Sequence, residues 1–288
     1  MIPTQFDYTA PATLDEAVAL LASDLDGAKV LAGGHSLIPA MKLRLAQPQL
    51  LVDIARIKSL SYIREEGDQI LIGATTTHYQ LESSDLLKNI CPLLPACAGN
   101  IGDVQVRNKG TIGGSLAHND PAGDWPAAAI GLNADVVLTG PNGERTMKAE
   151  DFFVDLLTTA LEPGEILREI RIAKPQGKFG HAYQKAPHPA SGFAVVGVAA
   201  NLTLNADGSC ASASLGVTGV GNKAYRPAGT EAALVGKTLD DQTISAAAAK
   251  ICDGVDANSD LYASAEYRKH LATVHASRAI KAAISRAS

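Results

Sequence analysis

The chain has 288 residues, a formal charge of −5 with acidic and basic residues interspersed, and an ordinary share of apolar residues, so it is long enough for two or three substructures with cores of their own. That charge balance, with one Trp and five Phe, argues against a nucleic-acid surface and its stacking platforms, and no apolar run is long enough to span a bilayer. The start, Met1-Ile2-Pro3-Thr4-Gln5-Phe6-Asp7, lacks a basic region ahead of an apolar core, so no signal peptide is expected.

In chain order, Thr13-Leu14-Asp15-Glu16 is a capping-box sequence, and Leu14, Ala17, Val18 and Leu21 follow it at helical spacing. Val30-Leu31 predicts a short strand, residues 37–45 a helix broken at Pro39, and residues 50–54 a buried strand. Residues 61–64 and 69–73 flank Glu66-Gly67-Asp68 as a hairpin. Residues 76–87, 92–98 and 121–132 read as helical. Residues 135–138 and 145–147 surround Pro141-Asn142-Gly143, a second hairpin, and residues 166–172 form a further strand. Lys174-Pro175-Gln176-Gly177-Lys178 is polar with two breakers and reads as a domain boundary. Beyond it, strands at 182–185, 195–204 and 213–217 predict a small antiparallel sheet, and helical stretches at 229–234, 241–255 and 264–286 close the chain. The last of these places Tyr267, Leu271 and Val274 on one face, with Ile280 and Ile284 further along.

Two glycine pairs, each followed by a serine, stand out against this background. They are Ala32-Gly33-Gly34-His35-Ser36, just after the Val30-Leu31 strand, and Thr111-Ile112-Gly113-Gly114-Ser115. Glycine admits positive φ and close approach of a ligand to the main chain, and successive N–H groups in such turns form a concavity for an anion. Two such turns, both with a hydroxyl residue next in line, predict two loops gripping one diphosphate. The nucleotide would then be held without the usual dinucleotide fingerprint.

Other chemistries are weaker. Gly219-Val220-Gly221-Asn222-Lys223-Ala224 fits G-x-G-x-x-A, but Tyr225-Arg226-Pro227 stands where the helix must open, so it reads as a plain turn. There is no P-loop and no G-x-S-x-G elbow. The four cysteines, Cys91, Cys97, Cys210 and Cys252, are neither grouped nor at metal-finger spacing, so they read as reduced thiols of a cytoplasmic protein without an iron–sulfur cluster of its own. The histidine spacings make no metal site. Asp120 and Asp124 flank Pro121-Ala122-Gly123. They are either a carboxylate pair for acid–base work or, the preferred reading, a helix cap (Asp120) and a ligand contact (Asp124).

Together, Ala32-Gly33-Gly34-His35-Ser36-Leu37, Arg107-Asn108-Lys109-Gly110-Thr111-Ile112-Gly113-Gly114-Ser115 and Asp120-Pro121-Ala122-Gly123-Asp124 resemble the FAD-binding medium subunit of molybdenum hydroxylases, of the carbon monoxide dehydrogenase and quinoline 2-oxidoreductase type. Glu162-Pro163-Gly164-Glu165-Ile166-Leu167, Tyr183-Gln184-Lys185, Phe193-Ala194-Val195-Val196 and Glu266-Tyr267-Arg268-Lys269-His270-Leu271 follow as landmarks in family order, so the resemblance covers nearly the whole chain. It implies an α+β fold: a FAD-binding domain of the vanillyl-alcohol oxidase and p-cresol methylhydroxylase (PCMH) type over 1–176, in two subdomains of about 1–56 and 57–176, then a C-terminal domain over 177–288 with a small antiparallel sheet and a three-helix bundle. By position it implies that Ala32, Gly33, Gly34, His35, Ser36, Leu37 and Thr111, Ile112, Gly113, Gly114, Ser115 contact FAD. Ile101, Asp124, Leu167 and Lys185 match other FAD-contact positions, and Phe193 matches an aromatic position against the isoalloxazine.

As hypotheses, the amides of residues 33–36 and 113–115 bind diphosphate oxygens, Ser36, Thr111 and Ser115 add hydroxyl donors, and Lys185 raises the flavin potential. The resemblance implies non-covalent FAD, with His35 a loop residue, and no metal or catalytic residue in this chain. In the family a large molybdenum-pterin subunit oxidises substrate, a small subunit with two [2Fe–2S] clusters relays electrons, and the FAD passes them to an external acceptor, in a dimer of heterotrimers. A free-standing FAD-dependent oxidase or dehydrogenase is the alternative function, and a non-catalytic FAD scaffold is a third.

Overall fold

In the computed structural model, which describes residues 1–287, the N-terminal strands β1 (Asp7–Thr9), β2 (Ala28–Leu31) and β3 (Leu50–Asp53) form a parallel sheet with β3 in the middle. The Leu14–Ser23 helix connects β1 to β2 and buries Ala17, Val18 and Leu21 against the small core that these strands share with Ile54, Ile57, Leu60 and Ile166. Its start is set as its sequence predicts. The Thr13 hydroxyl accepts the Glu16 N–H at 3.2 Å, while the Glu16 carboxylate reaches one residue beyond the cap, to the Ala12 N–H. Pro39 does not break the next helix (Leu37–Lys42): it sits in the first turn, where an N–H needs no helical partner.

A five-stranded antiparallel sheet follows, built from β4 (Ile63–Glu66), β5 (Gln69–Gly73), β6 (Asp135–Gly140), β7 (Gly143–Lys148) and, after the small β8 (Phe153–Asp155) and β9 (Thr158–Thr159) hairpin, β10 (Ile166–Ala173). Its order is β4-β5-β10-β6-β7. The helices between β5 and β6 cover one face and bury Ile70, Ile72, Leu81, Leu94, Leu116 and Trp125 in the largest core.

The expected single helix over 76–87 is two short ones, His78–Ser83 and Asp85–Ile90. Ser84 ends the first and caps the second through a hydroxyl that accepts the Leu87 N–H. The second glycine pair is not a loop. Thr111 caps a helix, Ile112–His118, whose first turn contains Gly113 and Gly114. The expected helix over 121–132 begins later, at Asp124, with the backbone of Gly123 as its cap. Asp120 does not cap it, because its carboxylate accepts the Ala122 N–H within the preceding turn.

The C-terminal sheet runs β11 (Lys178–Pro187), β12 (Ala194–Leu204), β13 (Cys210–Thr218), all antiparallel. One face carries Ala182, Val196, Val198, Ala200, Leu202 and Leu215 and packs on the helices Ala228–Leu234, Asp241–Ala248 and Ala265–Ser285. The face of the last helix differs from expectation. Tyr267 is exposed and Leu271 and Val274 only partly covered, whereas Arg268, Ala272, His275, Ala276, Ala279, Ile280 and Ala283 are buried. Small residues face the sheet because the approach is close: a Cβ on Gly180 would overlap the Ala283 carbonyl oxygen. The other face of the sheet receives the Asp124–Gly131 helix, all eight of whose residues are buried. Gly216 lies so near this helix that a Cβ there would overlap the Ala127 carbonyl oxygen.

Candidate functional site

At the end of β2 the chain bends through residues 32–36 into the Leu37–Lys42 helix. The N–H groups of Gly33, Gly34, His35 and Ser36 have no acceptor among the described residues. Gly34 takes φ +74, and the His35 ring nitrogen Nδ1 lies 2.9 Å from the Gly33 carbonyl oxygen, which folds the side chain back onto its own loop. Four consecutive amides without partners, on partly or fully exposed residues, form the concavity expected for an anion.

The second pair differs. The Gly113 N–H donates to the Ala74 carbonyl at 2.9 Å, the Gly114 N–H to the Thr111 hydroxyl at 3.2 Å and the Ser115 N–H to the Thr111 carbonyl at 3.0 Å. These three amides therefore all have acceptors within the chain, unlike the four of the first loop. Gly113 is needed for packing, because a Cβ would meet Ala74 Cβ at 2.5 Å. Gly114 faces outward: a Cβ there would have only Thr111 Oγ1 at 2.8 Å and Ala32 Cβ at 3.8 Å near it.

The two motifs meet. A Cβ on Gly33 would overlap the Lys109 carbonyl oxygen and lie 2.8 Å from Gly110 Cα, so the first loop rests directly on the backbone leading into the second. On the far side, the Ser115 hydroxyl lies 3.8 Å from where a Gly123 Cβ would stand, one residue before Asp124. A continuous cradle of small residues thus runs from Ala32 through Gly114 to Gly123. The unpaired amides lie at one end and the Asp124 carboxylate at the other.

Asp124 is joined to Lys185. The Lys185 ammonium donates to Asp124 Oδ2 at 2.8 Å and to the Asn100 carbonyl at 2.8 Å, while the Tyr183 hydroxyl donates to Asp124 Oδ1. The side chains of the pair are only 2 % and 5 % exposed. Burial outweighs the nearby ammonium and phenol and holds the Asp124 carboxyl above its ordinary value; burial likewise pushes the Tyr183 hydroxyl and the adjacent Cys97 thiol well up. Ile101 follows Asn100 in a loop that Arg107 grips: its guanidinium donates to the Ile101 and Gly102 carbonyls at 3.2 and 3.1 Å and pairs with Glu82 at 2.7 Å. Phe193 is half-exposed at the end of the β11–β12 connection, where its carbonyl accepts the His188 N–H at 2.8 Å, and the next residue, Ala194, donates its N–H to the Ala122 carbonyl. Leu167 is placed differently, as a buried core residue of β10 opposite Leu138.

Three contributors escape the sequence reading. His78 is buried and accepts the Trp125 indole N–H at Nδ1, 3.0 Å away. Burial, with the nearby charge positions of His35 and Arg107, lowers it to about 4, so it is neutral, with its proton on Nε2 against Gly110. Its backbone N–H takes the Gly110 carbonyl, which fixes the entrance to the second motif. Tyr183 and Arg107 are the others, and only their places inside Tyr183-Gln184-Lys185 and Arg107-Asn108-Lys109 mark them. Among the described residues no group of His, Cys, Asp and Glu is arranged to hold a metal ion, and no helix is long and apolar enough to cross a membrane.

Residues 4–175 match the family described as the FAD binding domain in molybdopterin dehydrogenase, and residues 181–283 match the CO dehydrogenase flavoprotein C-terminal domain. The chain is 42 % identical over 287 residues to the carbon monoxide dehydrogenase medium chain of Hydrogenophaga pseudoflava, covering 99 % of each. A solved structure of carbon monoxide dehydrogenase from that organism, lacking the Mo-pyranopterin moiety of its cofactor, superposes with a TM-score of 0.97 over all of both chains at 42 % identity. Quinoline 2-oxidoreductase from Pseudomonas putida 86 gives a TM-score of 0.93 at 32 % identity, covering 99 % of each chain.

Proposed function

Because the chain belongs to the family of FAD-binding medium subunits of molybdenum hydroxylases, with a PCMH-type FAD-binding domain followed by the family's C-terminal sheet-and-helix domain, we propose that it carries non-covalent FAD as the electron-output subunit of such an enzyme. The observation that carries this reading is the run of four acceptorless amides at Gly33 to Ser36, seated on the backbone of the second glycine motif. A diphosphate supplies the acceptors those amides lack, and the outward Cα of Gly114 leaves room for it beside Ala32.

In this reading the amides of 33–36 bind diphosphate oxygens, and the hydroxyls of Ser36, Thr111 and Ser115 add donors or acceptors along the cradle. Leu37, Ile112 and Ile101 are contact positions that rest on the family resemblance, as is Leu167, whose side chain lies in the β10 core. Asp124 and Lys185, held by Tyr183 and Asn100, supply fixed charge at the far end, and Phe193 offers a ring face there. His35 stays a loop residue, its Nδ1 turned to Gly33. When bound, FAD takes up electrons singly or in pairs and so couples one-electron donors to a two-electron acceptor.

The electrons come from [2Fe–2S] clusters of a small partner subunit, which receive them from a molybdenum-pterin large subunit, and they leave to an external acceptor. The assembly is a dimer of heterotrimers located in the cytoplasm, where this chain's four free cysteines stay reduced. The hydroxylated substrate is small, CO or an N-heteroaromatic compound. Its choice belongs to the large subunit, since relatives named for such different substrates keep one medium-subunit fold.

The test is purification of the native complex followed by acid precipitation. FAD released into the supernatant, with iron and molybdenum in co-purifying subunits, is expected. Yellow colour retained in the pellet refutes non-covalent binding. A chain that purifies alone and reduces its flavin with a substrate of its own would establish the free-standing oxidase or dehydrogenase instead.

A further inference from the structure

We propose that Arg268, in the Glu266-Tyr267-Arg268 landmark of the C-terminal helix, is a positioning residue that sets the 188–193 turn, and with it Phe193, against the flavin end of the site; this rests on the FAD reading above. Arg268 is far from the glycine motifs in sequence, yet its guanidinium grips the two strand ends that hold the Phe193 turn and the turn before Asp124.

Its Nη1 donates to the Val195 carbonyl at 2.8 Å and to the Gly219 carbonyl at 2.7 Å, and its Nη2 pairs with Asp260 at 2.6 Å, with the arginine side chain only 9 % exposed. Val195 lies two residues past Phe193. Gly219, at φ +86, lies so close to Val195 that a Cβ would overlap its carbonyl oxygen. The same two strand ends carry the entrance to the Asp124 helix. Ala194 and Gly219 donate N–H groups to the Ala122 and Pro121 carbonyls at 3.1 and 2.8 Å, and the Thr218 hydroxyl lies 2.8 Å from both the Pro121 and the Gly123 carbonyl oxygens.

The guanidinium also reaches the other end of the turn. Asp260, while bound to Arg268, accepts the N–H groups of Tyr262 and Ala263 at 2.9 and 2.8 Å, which fixes the Tyr262 ring with its centroid 4.4 Å from that of His188. His188 in turn closes the turn: its Nδ1 accepts from Ala190 and Ser191, and its carbonyl accepts from Gly192. One buried cation therefore fixes both stems of the Phe193 turn and ties them to the turn before Asp124. A planar fork can serve two carbonyls and a carboxylate at once; a lysine ammonium cannot reproduce that geometry.

The experiment compares Arg268→Lys, Arg268→Gln and Phe193→Ala in the full chain. Hydrogen exchange in the flavin-free protein is the first readout, and the amides of 190–193 are expected to exchange about tenfold faster in both Arg268 variants, the loss of one charge-assisted hydrogen bond at those stems. In the flavin-loaded complex, the visible circular dichroism of bound FAD is expected to change in Arg268→Lys as it does in Phe193→Ala, and the double variant to show no further change. FAD content stays at the parent level, because the diphosphate cradle is untouched. Unaltered exchange at 190–193, or a flavin signal identical to the parent in Arg268→Lys whatever its thermal stability, overturns the proposal, as does a silent Phe193→Ala. Failure of the FAD reading is seen separately, as a parent chain that binds no flavin.

Discussion

At single residues, the site depends on where a Cβ is forbidden and where a charge is buried. Gly33 touches backbone, which cannot swing aside, so Gly33→Ala is expected to push the first loop off the second and lower FAD retention at least tenfold with little loss of fold; flavin content of the purified variant measures it. Lys185 has two duties, neutralising Asp124 and holding the Asn100 carbonyl. Lys185→Met is expected to cost about 3–5 kcal/mol, since it strands a buried carboxylate, and, with Lys185 at the flavin ring as proposed, to lower the flavin midpoint potential through loss of that cation. An unchanged or higher potential refutes that placement. The sign of the pH effect follows from Asp124, whose folded form binds a proton more tightly than the unfolded chain does. The cost is therefore present above its folded pKa and shrinks on acidification, so mild acid narrows the stability gap between variant and parent.

At the level of elements, the contact between the Asp124–Gly131 helix and the β11–β12–β13 sheet determines how the FAD-binding part and the C-terminal part sit together. Gly216→Ala places a methyl against the Ala127 carbonyl and is expected to destabilise by about 3 kcal/mol. Gly99→Ala, at φ −64 with its nearest neighbour, the Glu82 Oε1 atom, at 3.4 Å, is expected to be neutral or slightly stabilising; denaturant midpoints separate the two. Elements with a strong period and a clear cap, such as Leu14–Ser23 and β10, were legible in the sequence. The Ile112–His118 helix was not, because Gly113 and Gly114 have poor helix propensity, and burial against Ala74 with the Thr111 cap supplies what propensity lacks. The inward face of Ala265–Ser285 misled for a related reason: the buried positions are mostly alanines, weak as an apolar signal, and at its C-terminal end the helix comes so close to the sheet that Gly180 meets the Ala283 carbonyl. The three-residue strand β1, exposed along its length, has no pattern to read. Within the site, Asp124 and Lys185 were legible as positions, but their mutual ion pair joins residues from two domains and no local spacing encodes it.

For the whole molecule, acid stability follows from buried neutral imidazoles. His78 and His181 are each lowered by burial from 6.5 to about 4. Each takes up its proton in the unfolded chain first, so the stability they allow is complete above pH 6.5 and is lost as pH falls toward 4. The melting temperature is expected to drop across that window, and His78→Gln, which keeps an acceptor for the Trp125 indole, to flatten the drop. The pairing of His78 with Trp125 has an optical consequence. Trp125 is the chain's single tryptophan, so light absorbed and emitted by indole reports on one point, the joint where the glycine motifs, the Asp124 helix and the C-terminal sheet come together. A bound isoalloxazine absorbs where indole emits and will quench it by energy transfer, and protonation of His78 will shift the emission independently. Cofactor loading, acid opening and assembly with partner subunits can therefore be followed in the unlabelled protein by one intrinsic signal.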